Sequence, residues 1–148
     1  MEPPAKLAVL IDGDNVRAQF MQPLWAKLAP LGIVCIRRLY CRDASRSGWR
    51  DMCIRYALQV VQPPACASGK NATDITMVID ALDLAQGGLL DGFCLVSSDS
   101  DFTPLAVRLR QCGMKVYGLG EEKAPDTFRQ ACDAFYPLSI SAKKTAGA

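Results

Sequence analysis

Phe93-Cys94-Leu95-Val96-Ser97-Ser98-Asp99-Ser100-Asp101-Phe102-Thr103-Pro104 is the stretch whose reading decides the fold. Its first four residues are an apolar run that fits a strand buried on both faces, as in a parallel sheet. Serines and two aspartates follow. Pro104 then leads into helix-spaced Leu105, Ala106, Leu109 and Cys112. Two carboxylates therefore stand where a buried strand ends and a helix begins, the edge at which open parallel α/β sheets bind ligands. The same residues also suit plain helix initiation. Asp101 or Thr103 is a good N-cap, Pro104 is tolerated in a first turn, and Asp99 fits an ordinary turn. Acidic residues at equivalent places elsewhere in the chain make the ligand reading the more informative one.

Working outward, Leu7 to Ile11 reads as a first buried strand ending in Asp12-Gly13-Asp14-Asn15. Val16 to Leu31 reads as a helix with Pro23 as an early irregularity, stopped by Pro30-Leu31-Gly32. Ile33 to Tyr40 is a second strand, Trp49 to about Leu58 a helix, and Gln59 to Gln62 a short strand closed by Pro63-Pro64. Thr73 to Gln86 is the clearest helix. After the 93–97 strand come a helix over 102–112, a strand over 115–119, a helix over 125–134 and a short edge strand over 135–138. Strands alternating with helices through short loops predict a three-layer α/β/α domain with a mainly parallel central sheet. Residues 1–138 form that one domain, and residues 139–148, small and polar, read as a flexible tail.

Composition removes several classes of function. The chain has 148 residues, half of them hydrophobic, enough for one proper core. No apolar run approaches the roughly 20 residues that span a bilayer. The opening Met-Glu-Pro-Pro-Ala-Lys lacks the basic flank and cleavage site of a secretion signal. Seven scattered cysteines without a Cys-x-x-Cys pair point to reduced thiols and a cytoplasmic setting, and against a zinc site. There is no histidine, which excludes Ser-His-Asp and Cys-His catalysis. Hydrolytic chemistry must run on carboxylates, hydroxyls, lysine or a metal held by oxygen ligands. Net charge is +2, but residues 37–55 carry Arg37, Arg38, Arg42, Arg46, Arg50 and Arg55 against Asp43 and Asp51, a local excess of four positive charges that suits phosphates or a solvated face.

On the 73–86 helix, with Asp74 as origin and about 100° per residue, Ile75, Val78, Ile79, Leu82 and Ala85 make an apolar arc between roughly 20° and 140°. Asp74 lies at the edge of that arc, aimed toward the sheet. Asp80, near 240°, and Asp83, near 180°, fall on the opposite, wet side. Asn71 as N-cap with Asp74 at N3 is the alternative, a capping box. Asp12, Asp14, Asp74, Asp99 and Asp101 thus collect at one sheet edge. Crowded carboxylates repel, and a divalent cation such as magnesium or manganese resolves the repulsion. Such an ion can activate water and stabilise the leaving oxyanion at phosphorus.

Leu10-Ile11-Asp12-Gly13-Asp14-Asn15, Lys70-Asn71-Ala72-Thr73-Asp74-Ile75 and Leu95-Val96-Ser97-Ser98-Asp99-Ser100-Asp101-Phe102-Thr103-Pro104-Leu105 together resemble the motifs of an NYN domain, in its LabA-like branch within the PIN-like nuclease superfamily. The resemblance runs from about residue 6 to 138. It implies a PIN-like, Rossmann-like topology and Mg2+- or Mn2+-dependent cleavage of RNA, single-stranded by expectation, by a domain that pairs in some relatives as a homodimer. It assigns Asp12, Asp74, Asp99 and Asp101 as catalytic metal ligands or their supports. Asn15 then orients substrate or a ligand water and Lys70 meets phosphate, while the basic stretch offers Arg42 and Arg46. Two other readings use the same residues. One is a non-catalytic RNA-binding or regulatory module that keeps the fold. The other is a haloacid-dehalogenase-like phosphatase with Asp12 of Asp12-x-Asp14-x-Val16 as nucleophile, although Tyr40-Cys41-Arg42 lacks that family's Ser or Thr.

Overall fold

The computed structural model describes residues 2–140 except 46, 47, 68 and 70. Among the described residues six strands form one sheet: β1 (Lys6–Asp12), β2 (Ile33–Tyr40), β3 (Gln59–Val61), β4 (Gly92–Val96), β5 (Lys115–Gly120) and β6 (Ala134–Pro137). Their order is β3-β2-β1-β4-β5-β6, and every pairing is parallel. Five α-helices connect them: α1 (Met21–Leu28), α2 (Trp49–Tyr56), α3 (Ala72–Gln86), α4 (Thr103–Gln111) and α5 (Asp126–Ala131).

The alternation of β1 side chains builds the two layers. Leu7, Val9 and Ile11 enter one core with Met21, Leu24, Leu28 and Trp49 from α1 and α2. Ala8 and Leu10 enter the other with Met77, Ala81, Leu105 and Phe128 from α3, α4 and α5. All five β1 side chains are fully buried, each large one contributing about 1.5–3 kcal/mol. The three-layer parallel fold predicted from the alternation is the fold observed.

Chain order reverses between β1 and β4, which are adjacent in the sheet. That is the topological switch point, where the loops leaving neighbouring strands diverge and open a crevice. Two glycines allow close approach there. A Cβ on Gly13 would lie 2.6 Å from Leu39 Cδ1, and one on Gly120 would lie 2.5 Å from the Ser97 carbonyl oxygen. Larger residues would push the loops apart.

Two expectations need correction. The first helix does not begin at Val16: residues 18–20 form a 3-10 turn and α1 starts at Met21. A helix from Val16 would place Pro23 in its interior, where the ring meets the carbonyl four residues back; in α1 it falls in the first turn, where a missing N–H costs nothing. The second correction concerns α3. Its fully buried residues are Thr73, Met77 and Ala81; of the predicted arc, Val78, Leu82 and Ala85 are partly buried against that core, but Ile75 and Ile79 are not. Ile75 and Ile79 are 55% and 56% exposed, which forgoes roughly 2–3 kcal/mol of apolar burial. Asp80, read as solvated, is instead half-buried against β2.

Candidate functional site

Four carboxylates converge on the crevice between β1 and β4. Asp12 ends β1 and is 1% exposed. The amide nitrogen of Asn15 donates to both its oxygens, at 3.2 and 3.0 Å, and the Ser97 hydroxyl donates to Oδ2 at 2.8 Å. The sequence favours this local arrangement. Backbone N–H groups of Asn15 and Val16 turn back onto the Asp12 carbonyl, which swings the Asn15 side chain under the carboxylate. Burial raises the Asp12 pKa, the Asn15 and Ser97 hydrogen bonds oppose that rise, and the charges of Asp99 and Asp14 add to it.

Above Asp12 sit Asp74, Asp99 and Asp101, each offering a carboxylate oxygen within 4.8 Å of the other two. Asp74 and Asp99 are half-buried and Asp101 is exposed. Asp99 Oδ1 accepts the Asp101 backbone N–H at 2.9 Å, and the Asp99 N–H donates to Ser97 Oγ at 3.1 Å. Asp99, rather than Asp101 or Thr103, therefore caps the short turn before α4. Ser98 Oγ accepts the Glu121 N–H at 2.7 Å and ties this loop to the end of β5. Asp74 stands in the first turn of α3. Asn71 occupies the cap position without a side-chain capping hydrogen bond, so the capping-box alternative fails. Its carboxyl is pushed up to about 6, first by burial and then by the charges of Asp12, Asp99, Asp101 and Asp14.

The remaining candidates have other partners. Asp14 Oδ1 accepts the Arg42 N–H at 3.0 Å, linking the β1 and β2 loops. The Arg42 guanidinium donates to the carbonyls of Ala67 and Gly69, closing the loop before α3. Arg46 and Lys70 lie outside the described residues. Of the described arginines in residues 37–55, Arg37 and Arg38 do not share a face. Arg37 and Arg38 are successive on β2 and leave the sheet on opposite sides. Arg37 lies over the Trp25 ring at 4.8 Å and donates to the Tyr56 carbonyl. Arg38 pairs with Asp80 at 2.6 Å.

Asp80 is the residue whose surroundings the sequence reading missed. The buried Tyr40 hydroxyl donates to the same Asp80 oxygen that accepts from Arg38. Burial raises the Tyr40 pKa, and the Asp80 carboxylate raises it further. For Arg38, burial alone would lower the pKa, but the Asp80 hydrogen bond and charge outweigh it. The available signal was the placement of Arg38 and Tyr40 two apart on one strand, hence on one face, with an acid on α3, the second helix after that strand, to meet them.

Two clefts flank the site. One of about 470 Å³ opens beside the β1 loop and includes Asp14, Asn15, Gly48, Trp49 and Met52 in its wall. A larger one of about 730 Å³ lies on the β3 side of α3, between Val61, Pro64, Ala67, Ile75 and Ile79. It is mainly apolar and on the flank of α3 away from Asp74, so its size does not make it the chemical centre. No disulfide joins the cysteines; burial pushes the Cys94 and Cys132 thiols up to about 12, which leaves neither a nucleophile.

The donor set suits a hard divalent cation. It is all carboxylate oxygen and mutually repulsive, and it lies at a crevice open to solvent on the Asp101 side. It does not suit the phosphatase reading, because Asp12 is buried and both its oxygens are engaged, so it is not presented to a phosphate. Among the described residues, no helix is long and apolar enough to cross a membrane.

Comparison with known proteins agrees with this architecture. An uncharacterized protein of Methanocaldococcus jannaschii is 27% identical over 129 residues, covering 84% of this chain and 51% of the relative, so the chain spans about half that protein's length. A crystal structure of a protein of unknown function from Vibrio parahaemolyticus superposes with a TM-score of 0.75 at 22% identity, covering 94% of this chain and 96% of the other, a likeness of fold. The family model of the NYN domain matches residues 6–139, nearly the whole length over which β1 to β6 and the four carboxylates are laid out, and the chain belongs to the NYN domain family.

Proposed function

We propose that this domain is a divalent-metal-dependent ribonuclease that hydrolyses phosphodiester bonds of single-stranded RNA at the β1/β4 crevice. The observation that carries the reading is the trio Asp74, Asp99 and Asp101, with carboxylate oxygens within 4.8 Å of one another at the switch point of a parallel sheet. Membership of a family placed in the PIN-like nuclease superfamily supports the substrate class.

Asp74, Asp99 and Asp101 would hold Mg2+ or Mn2+, with Asp12 beneath them as a further negative charge. When bound, the cation supplies positive charge that activates a water and offsets charge developing at phosphorus. The chain does the rest. Asn15 and Ser97 fix Asp12 and oppose the rise in its proton affinity that burial causes. Asp99 spends one oxygen on the Asp101 N–H and keeps the other for the site. Asp101, the exposed member, faces incoming substrate. The cleft of about 470 Å³ beside Asp14 and Asn15 is in the size range that holds a small ligand such as a nucleotide. Arg42 orders the loop before α3 from below, so its role is to shape the crevice wall as well as to add positive charge for phosphate.

End-labelled single-stranded RNA incubated with Mn2+, with Mg2+ and with EDTA, using wild type and Asp99→Asn, tests the reading. Cleavage by wild type with metal alone supports it. Intact RNA with both metals overturns it, and retained binding in those lanes would make the domain an RNA-binding module.

A further inference from the structure

The rotation of α3 does not bury all of its apolar residues. The fully buried face, Thr73, Met77 and Ala81, is centred near 300° on the wheel that has Asp74 at 0°; Val78, Leu82 and Ala85, between about 20° and 80°, are partly buried against the same core, and Ile75 and Ile79, near 100° and 140°, fall outside it. The observed rotation leaves Ile75 and Ile79 more than half exposed and buries the Thr73 hydroxyl with no hydrogen-bond partner. Both features oppose it. What favours it is the packing of Met77, Ala81, Val78 and Leu82 on the core together with Asp80, held on one flank by Arg38 at 2.6 Å and by the buried Tyr40 hydroxyl. In a rotation that buried the isoleucines Asp80 would point into solvent and both β2 partners would lose it. Asp74 and Asp80 sit about 60° to either side of the buried face, so fixing one fixes the other.

Tyr40 reaches further. Its carbonyl accepts the Gly13 N–H at 2.8 Å, and it is the register partner of Asp12 in the sheet. One residue therefore contacts both the element that carries Asp12 and, through Asp80, the helix that carries Asp74.

We propose that Arg38, Tyr40 and Asp80 are a rotation lock for α3, positioning residues that present Asp74 to Asp99 and Asp101. The lock stands on the packing alone; its functional consequence rests on the metal-site reading above. It acts through Asp74 and touches neither metal nor substrate.

The test uses the full chain with labelled isoleucine methyl groups. Solvent exposure of the Ile75 and Ile79 methyls is read by relaxation from a soluble gadolinium chelate, and Mn2+ affinity is titrated on separate samples. In Asp80→Leu the helix rolls, the relaxation of both methyls falls, and Mn2+ binds about tenfold more weakly or worse. Tyr40→Phe keeps the Arg38 pair and shifts both readouts in the same direction by less. Asp80→Asn keeps an acceptor for Tyr40 and restores most of the wild-type exposure, which a general loss of stability would not do. Wild-type methyl exposure in Asp80→Leu overturns the lock. Should Asp80→Leu fail to fold, unchanged exposure and unchanged Mn2+ affinity in Tyr40→Phe overturn it instead. If wild type binds no Mn2+, the metal-site reading falls, while the methyl data still decide the lock.

Discussion

Asp74 and Asp80 lie six residues apart on one helix, and their surroundings are opposite. Asp80 has a cation and a phenol hydroxyl against one oxygen. Among the described residues Asp74 has no cation in its company, only burial and four other carboxylates, and its proton affinity rises accordingly. A buried charge is retained where partners stabilise it, or where function requires it despite the cost. On the metal-site proposal, Asp80 is the first case and Asp74 the second. The contrast separates a residue that holds the fold from one the fold holds in place, which residue type and helical position alone do not do.

The largest effect that would sharpen the contrast is catalytic. Asp74→Asn and Asp99→Asn each lower metal-dependent RNA cleavage by at least about a hundredfold, as removal of a charged ligand does, with circular dichroism unchanged. Activity near wild type in either variant breaks the distinction from the Asp74 side. Next comes stability from the Asp80 side. Asp80→Ala strands Arg38 and Tyr40, and because Arg38 and Asp80 keep 23% and 25% side-chain exposure, the loss is about 2 kcal/mol rather than the larger figure for a fully buried pair. Urea unfolding measures it, and a loss under about 0.5 kcal/mol would reduce the pair to a surface contact.

Asp74→Asn has the opposite sign. The folded pKa of Asp74, about 6, is raised from 3.8, so the folded state favours the protonated form. Its contribution to stability is greatest at low pH and is lost as pH rises through about 4 to 6. Without metal, Asp74→Asn is therefore more stable than wild type at pH 7, by on the order of 1 kcal/mol after solvent screening. The gain disappears by about pH 3, below both values, where wild-type Asp74 is protonated in the folded and the unfolded state. Melting temperatures of the two proteins across that range check this, and a gain that persists at low pH contradicts the electrostatic cause. The smallest effect concerns the outward face. Ile79→Lys changes stability by less than about 0.5 kcal/mol, as an exposed substitution does, whereas Met77→Ala costs about 2–5 kcal/mol. The reverse ranking would mean that the apolar arc faces the core after all.

The legible part of the site was the part written locally. Asp12, Asp99 and Asp101 follow strands whose burial shows as short apolar runs, and a parallel sheet brings the carboxyl ends of adjacent strands together whatever packs around them. Asp74 was legible as a helix-start acid. The reason it is not a capping residue, an Asn71 side chain that makes no cap, appeared only in the structure. Arg42 was read for its charge alone; its geometry depends on a loop 25 to 27 residues downstream, and sequence spacing carries no record of such a contact.

By itself the sequence determined the alternation of strands and helices, the parallel sheet with two cores, and the edge at which the acids gather. These follow from local propensity, the two-residue period of strands and the reversal of chain order. Only the tertiary structure decided how α3 is turned. Apolar periodicity measures what a helix can bury, but rotation is set by the surface it meets, and here β2 presents Arg38 and Tyr40 to it. Burying the isoleucines would turn Asp80 away from those two groups and lift Met77 and Ala81 from the core.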